Sequence, residues 1–255
     1  MTDLSPVRFP RGVAIATAAV GAIVGIAYTL SPLTVWSSIV FVFLIWLIGE
    51  GLPEEERRRV RAILVAAILA RLAAIAGIWL VTDHFRVPFG SFFGDEEYFI
   101  RRATWLRNVA LGIPIHSADL IYAYDEYSYT HYLYVFAFIE ALVGFAPYGL
   151  KVLSAAMYLG GAVVLYRLAR RAYGSGVALA GLLVLLFLPS LFAWSIAALK
   201  EPPYFLVGAL ACSAAVGTVR SRSIARQAAG VLFLCAAAAG LQSIRGGGMI
   251  ISLSA

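Results

Sequence analysis

The chain has 255 residues, 62% of them hydrophobic and 13% charged, and its mean hydropathy is +0.86. Soluble domains run near 45–50% apolar and about 25% charged, so an ordinary soluble domain is excluded, and so is a disordered chain. The 20 basic and 14 acidic residues leave a net charge of +6, an excess that reads as membrane topology before nucleic-acid binding.

A spanning helix needs roughly 20 mainly apolar residues. Taken in chain order, the stretches that qualify are about 12–30, 33–49, 62–82, 149–166, 177–199, 203–219 and 228–244. The first is too long for a signal peptide and lacks a small-residue cleavage site, so it reads as a retained helix. An eighth apolar run, Tyr132 to Ala146, carries Glu140. It is short for a span and suits a helix lying in the interface.

Arginine and lysine positions set the orientation. With Arg8 and Arg11 cytoplasmic, the loop with Arg57, Arg58, Arg59 and Arg61 is cytoplasmic too. So are Arg167, Arg170 and Arg171, and then Arg220, Arg222 and Arg226. This holds only if 132–146 does not cross. The expected fold class is therefore all-α and integral to the membrane, with about seven spans and a cytoplasmic N-terminus. A large outer loop runs from Asp83 to Tyr148. Residues 1–61 form two N-terminal spans with a basic loop, and 62–255 form the core that includes the outer loop 83–148. The last residues, MIISLSA, end without a polar tail, and the chain is expected to be the N-terminal part of a longer protein.

Cys212 and Cys235 lie in apolar runs and form no CxxC or Cys/His cluster, so a disulfide framework is excluded. Nearly all outward polar chemistry falls in the outer loop, whose key segment is GDEEYFIRRATWLRNVA. Gly94 breaks the chain there, and a helix is expected from Glu96. Two readings stand for Asp95. It can be the N-cap of that helix, with Glu96 and Glu97 at the positive end of the dipole and Arg101 paired to Glu97. Alternatively, Asp95 can take a proton from an attacking hydroxyl, and a carboxylate there can hold a divalent cation. Adjacent helical residues do not share a face, so Asp95 and Glu96 are expected to do different jobs.

Asp125-Glu126 lies among tyrosines in YAYDEYSYTHYLY, which reads first as an aromatic belt with solvated acids. His84, His116 and His131 share the loop but match no metal signature. Arg71 lies about 13 Å into the third span at 1.5 Å per residue. It is either functional or satisfied by snorkelling or by pairing within the bundle. Lys200-Glu201-Pro202-Pro203 and Arg245 stand at outer boundaries. They read as helix-start chemistry and snorkelling, or as a phosphate clamp.

The order of these features resembles the C-type (GT-C) membrane glycosyltransferases, which include the protein O-mannosyltransferases. The similarity spans about 62–250. It rests on GDEEYFIRRATWL, then YLYVFAFIEALVGFAPYGLKVLSA, LYRLARRAYGSG and LLFLPSLFAWSIAALKEP. The resemblance implies transfer of a sugar from a polyprenyl-phosphate-linked donor to a glycan, lipid or protein acceptor on the extracytoplasmic face. It implies a catalytic carboxylate at Asp95 with Glu96 beside it. Lys200, Glu201, Arg245, Arg101, Arg102 and Tyr98 then serve substrate and phosphate binding. A divalent metal ion is used by several members. The two spans before residue 50 are extra to that pattern, and members usually have many more spans and often a C-terminal outer domain. The rival readings are a non-catalytic membrane scaffold and a transporter or flippase subunit. A nucleic-acid partner is not expected, because the basic residues are divided among short loops.

Overall fold

The computed structural model describes residues 31–86, 89, 91, 93–124 and 130–245, together with positions 12, 17 and 19–21. Most of the expected first span, 12–30, and the Asp125-Glu126 pair lie outside these residues. The described residues are all-helical, and the order is α1 (Pro32–Gly49), α2 (Glu54–Val81), α3 (Gly94–Ala110), α4 (Ser117–Ala123), α5 (Tyr132–Val143), α6 (Pro147–Tyr173), α7 (Ser175–Phe187), α8 (Pro189–Ser195), α9 (Glu201–Arg220) and α10 (Ile224–Ile244).

Five of these, α1, α2, α6, α9 and α10, are long and apolar enough to cross a membrane; α7 with α8 makes a sixth if the bent pair is one span. The chain is thus a multi-pass membrane protein in character. α5 has 12 residues, about 18 Å of helix against a hydrocarbon core of about 30 Å. Its length bears on the exclusion of 132–146 from the spans.

α6 is the centre of the bundle and packs against α1, α2, α7, α8 and α9. Its Gly160-Gly161 step makes this possible. A Cβ on Gly161 would lie 2.7 Å from the Phe205 ring, so only glycine admits α9 at that distance. α6 ends at Gly174, whose φ of 86° opens the turn into α7. The main core joins Leu44, Leu64, Leu159, Val163 and Leu182 from α1, α2, α6 and α7. A second core, with Phe99, Ile100, Leu133 and Phe136, holds α3 against α5.

Two expectations change. α2 begins at Glu54 after Pro53, so Arg57, Arg58, Arg59 and Arg61 sit on its first turns rather than in a loop. Glu54, Glu55 and Glu56 favour that start through the helix dipole. The boundary drawn at 61/62 therefore falls inside a helix. The expected span 177–199 is also not one straight helix. It breaks at Leu188 with a bend of 62°, and 196–200 is non-helical. Pro189 is the cause, because it has no N–H and its ring crowds the carbonyl four residues back.

The two ends of the bundle differ. At one end Arg170 holds Glu56 with Nε–Oε1 at 2.7 Å, and Arg167 reaches the Leu47 carbonyl. The C-termini of α1 and α6 and the start of α2 therefore meet there. At the other end Ser31, Trp79 and Pro147 line one cavity. α10 finishes at this second end, where Thr130 Oγ1 donates to the Ile244 carbonyl at 2.7 Å. Its 21 residues cover about 31 Å, which returns the α9–α10 turn to the basic end.

Candidate functional site

α3, α5, the 196–200 segment and the ends of α6, α9 and α10 converge opposite the basic end. α3 starts at Gly94, two residues before the expected start. Phe93 holds the N-cap position without a side-chain cap bond, so Asp95 is not the cap. Asp95 lies in the first turn and is exposed. Glu96, the next residue, is fully buried. The two carboxylates thus point to different surroundings, as helical geometry requires.

Glu96 makes an ion pair with Lys151 near the start of α6, and both side chains are at 0% exposure. The same oxygen, Oε1, accepts the Ala198 N–H at 2.7 Å. One carboxylate therefore ties the loop helix α3 to a spanning helix and to the non-helical segment after the broken span. A buried pair must be hydrogen-bonded to offset its desolvation, and the Ala198 amide supplies part of that. Sequence reasoning missed Lys151. The signal was present as a lysine five residues into a helix that is otherwise apolar at its start.

Tyr132 opens α5 and donates its hydroxyl to the Leu199 carbonyl at 2.6 Å. Burial, with Glu201 and Glu96 nearby, pushes this phenol well above its ordinary range, so it stays a donor. This second tie also went unread. Together Glu96 and Tyr132 fix 196–200 from both sides, and Lys200 follows directly. Its ammonium lies 5.6 Å from the centre of the Phe99 ring on α3, within cation–π range.

Glu201 is the first residue of α9 and half-buried. It borders a cleft of about 160 Å³ with Trp194, Tyr204 and Phe205. Arg101 is exposed, pairs with Glu97, and stands 5.1 Å over Phe89. Arg102 is buried, donating to the Tyr98 hydroxyl at 2.6 Å and to the Ala123 carbonyl at 3.3 Å. It holds α3 to α4, and Tyr98 is its partner. Arg245 is the exposed C-cap residue of α10. His131 N–H donates to Ser243 O at 3.2 Å beside it, so Arg245 belongs to this end of the bundle.

His84 sits against the Trp79 carbonyl at 3.0 Å, while His116 and His131 are exposed. Among the described residues no group of three His, Cys, Asp or Glu could hold a metal ion. An apolar cavity of about 400 Å³ lies at this end between α1, α2 and α6, lined by Ile75, Trp79, Pro147, Tyr148 and Val152 among others.

Arg71 resolves in favour of pairing inside the bundle. Its Nε donates to Ser195 Oγ at 2.8 Å, Nη1 to Ala67 O at 3.1 Å and Nη2 to Leu186 O at 3.0 Å. The guanidinium also lies 4.8 Å from the Phe192 ring centre. Tyr158 donates to the Leu185 carbonyl at 2.8 Å, the carbonyl that the missing Pro189 N–H leaves open. Arg71 and Tyr158 thus satisfy the break in the span from which 196–200 emerges. Comparison with protein families, with curated proteins and with solved structures returned no match to this chain.

Proposed function

We propose that the chain is a multi-pass cell-membrane transferase. It moves a sugar from a polyprenyl-phosphate-linked donor to an acceptor hydroxyl at the end of the bundle that carries α3 and α5. On this reading that end is extracytoplasmic, and the arginine-rich end, with the N-terminus, is cytoplasmic. One observation carries the proposal. The exposed carboxylate of Asp95 stands on a helix turn that Glu96 anchors to the segment leading into Lys200. An exposed carboxylate on α3, with the Lys200 ammonium over Phe99 of the same helix, suits displacement of a phosphate.

Asp95 takes the proton of the acceptor hydroxyl as its oxygen attacks the anomeric carbon. The bond from that carbon to the phosphate oxygen breaks, and the lipid phosphate leaves with the electron pair. Lys200 and Arg245 offset its charge. Glu96 positions this turn and does not touch the reacting atoms. Arg101, Tyr98 and Glu201 border the same region, and Arg102 orders α3. The apolar cavity beside Trp79 and Tyr148 suits part of a long carrier chain.

A second reading is a non-catalytic scaffold of the same architecture. It is favoured by Glu96 and Arg102, two of the candidate polar residues, being spent on internal contacts. Transfer of labelled sugar from polyprenyl-phosphate donors, in membranes holding the wild-type chain or Asp95→Asn, separates the two. Transfer by the wild type and its loss in the variant supports the transferase. Equal transfer by both removes Asp95 from the chemistry, and no transfer by the wild type favours the scaffold.

A further inference from the structure

We propose that the α9–α10 hairpin, at the basic end of the bundle, carries a binding site for the phosphate of an anionic membrane lipid. The observation behind it is an imbalance of charge. Arg57, Arg59, Arg167 and Arg170 each meet a carboxylate, from Glu54, Glu55, Glu50 and Glu56 in turn. Arg220, Arg222 and Arg226 are all exposed, and the sequence holds no Asp or Glu after Glu201. Among the described residues no carboxylate pairs with these three; the exposed Arg58 and Arg171 also lack one, but Arg171 shares its cleft with Glu50, whereas the cleft of Arg220 and Arg226 has no acidic residue. A signal for topology alone does not need this difference, since paired and unpaired arginines count alike.

The hairpin also has a shape for a ligand. Arg220 and Arg226 border an open cleft of about 400 Å³ with Thr218, Ser221, Gly217 and Gly230. The two helices approach closely at its wall. A Cβ on Gly230 would collide with Thr218 Oγ1, and both residues form part of that wall. The neighbouring hydroxyls are used locally. Thr218 Oγ1 donates to Ala214 O at 2.8 Å, and Ser221 Oγ accepts the Ser223 N–H at 3.3 Å. The cleft thus offers guanidinium groups as its free donors, and guanidinium matches phosphate in geometry and charge.

A free phosphate and a lipid headgroup share that chemistry. The lipid is favoured because α9 and α10 leave most of their apolar surface uncovered by protein. Acyl chains then lie against the same hairpin whose turn binds the headgroup. Basic residues at such a boundary are each worth about fivefold in anionic-lipid affinity.

The test uses the purified chain in phosphatidylcholine nanodiscs with a minor fraction of spin-labelled phosphatidylglycerol, reading the motionally restricted fraction. Arg220→Gln with Arg226→Gln is expected to lower apparent affinity for phosphatidylglycerol by about 25-fold, two arginines at about fivefold each. Arg57→Gln with Arg59→Gln removes the same charge and is expected to change affinity less than about twofold. Arg220→Lys with Arg226→Lys, which keeps charge and loses the planar fork, is expected to fall between. Equal losses from the two glutamine pairs overturn the site, because they show diffuse attraction. Equal restriction of labelled phosphatidylcholine overturns it as well. Displacement of the lipid by millimolar inorganic phosphate, with no lipid preference, overturns the lipid assignment in favour of a free-anion site.

Discussion

Lys151 and Glu96 are 55 residues apart in sequence, and their side chains form an ion pair with no solvent exposure. Glu96 also accepts the Ala198 amide at 2.7 Å, so one carboxylate holds both a buried ammonium and a backbone amide. Removing one member of such a pair strands a buried charge and costs about 3–5 kcal/mol, whereas neutralising both is often near neutral. Lys151→Met is therefore expected to lower the unfolding midpoint in detergent strongly. Glu96→Gln with Lys151→Met should recover most of it, because the glutamine oxygen still accepts from Ala198. Glu96→Leu with Lys151→Met should recover less. Equal stability of the two double variants would show that the Ala198 bond contributes nothing.

Asp95 and Glu96 are adjacent, yet one is exposed and one buried, and their substitutions should separate function from stability. Asp95→Asn loses only a favourable charge near the α3 N-terminus, worth about 0.3–1 kcal/mol. Sugar transfer should meanwhile fall by about 10²–10⁴-fold if Asp95 is the base. Glu96→Gln alone should lower the melting temperature clearly, since it leaves Lys151 unpaired. Paired melting curves and transfer assays check both. A large loss of stability in Asp95→Asn would place Asp95 among the structural carboxylates.

Hydropathy was sufficient to find α1, α2, α6, α9 and α10, because a 17–21-residue apolar stretch has few other folded uses. It did not find the break at Leu188. Pro189 was visible, but a proline in a spanning helix is tolerated when partners satisfy the freed carbonyls, and those partners are Arg71 and Tyr158 on other helices. Likewise the helical spacing of Asp95 and Glu96 predicted separate roles but not which of them is buried. That outcome depends on Lys151 and Ala198, both distant in sequence. The long-range ties from Tyr132 to Leu199 and from Thr130 to Ile244 were unreadable for the same reason, since a tyrosine-rich segment looks like an interface belt with or without them.

Arg71 donates to Ser195, Ala67 and Leu186 at once. Three donors on a planar head cannot all be reproduced by an ammonium. Arg71→Lys is expected to lose part of the stability and Arg71→Met more, because the Leu186 carbonyl then loses its partner, at about 1–3 kcal/mol for a buried group left unsatisfied, while the Ser195 hydroxyl keeps its bond to the Phe192 carbonyl. Tyr158→Phe should cost about as much as one such group, through Leu185. In Pro189→Ala the alanine N–H can serve Leu185 itself, so Tyr158→Phe should cost less in that background. A four-variant thermal unfolding cycle measures the difference. An unchanged cost of Tyr158→Phe would mean that the Tyr158 hydroxyl does not serve the carbonyl opened by proline.

Glu140 lies between α5 and α3, fully buried, with Oε2 accepting from the Thr104 hydroxyl at 3.0 Å and Oε1 without a partner. Burial pushes its pKa from 4.5 up to about 7, while the Thr104 bond and the charge of Arg107 act against the rise. The folded protein therefore holds this proton where the unfolded chain has lost it. More protons bound in the folded state means that stability falls as pH rises. The protonated acid's contribution is full below about pH 4.5, declines as pH climbs to about 7, and is gone above that. Wild-type protein should accordingly lose stability between pH 5 and pH 8, on the order of 3 kcal/mol at most, read as a falling melting temperature. Glu140→Gln keeps an acceptor for Thr104 and has no charge to bury, so its melting temperature should vary less over that range and exceed that of the wild type at pH 8. Parallel pH slopes for the two proteins would show that Glu140 is already ionised in the folded chain, with Arg107 as its counter-charge.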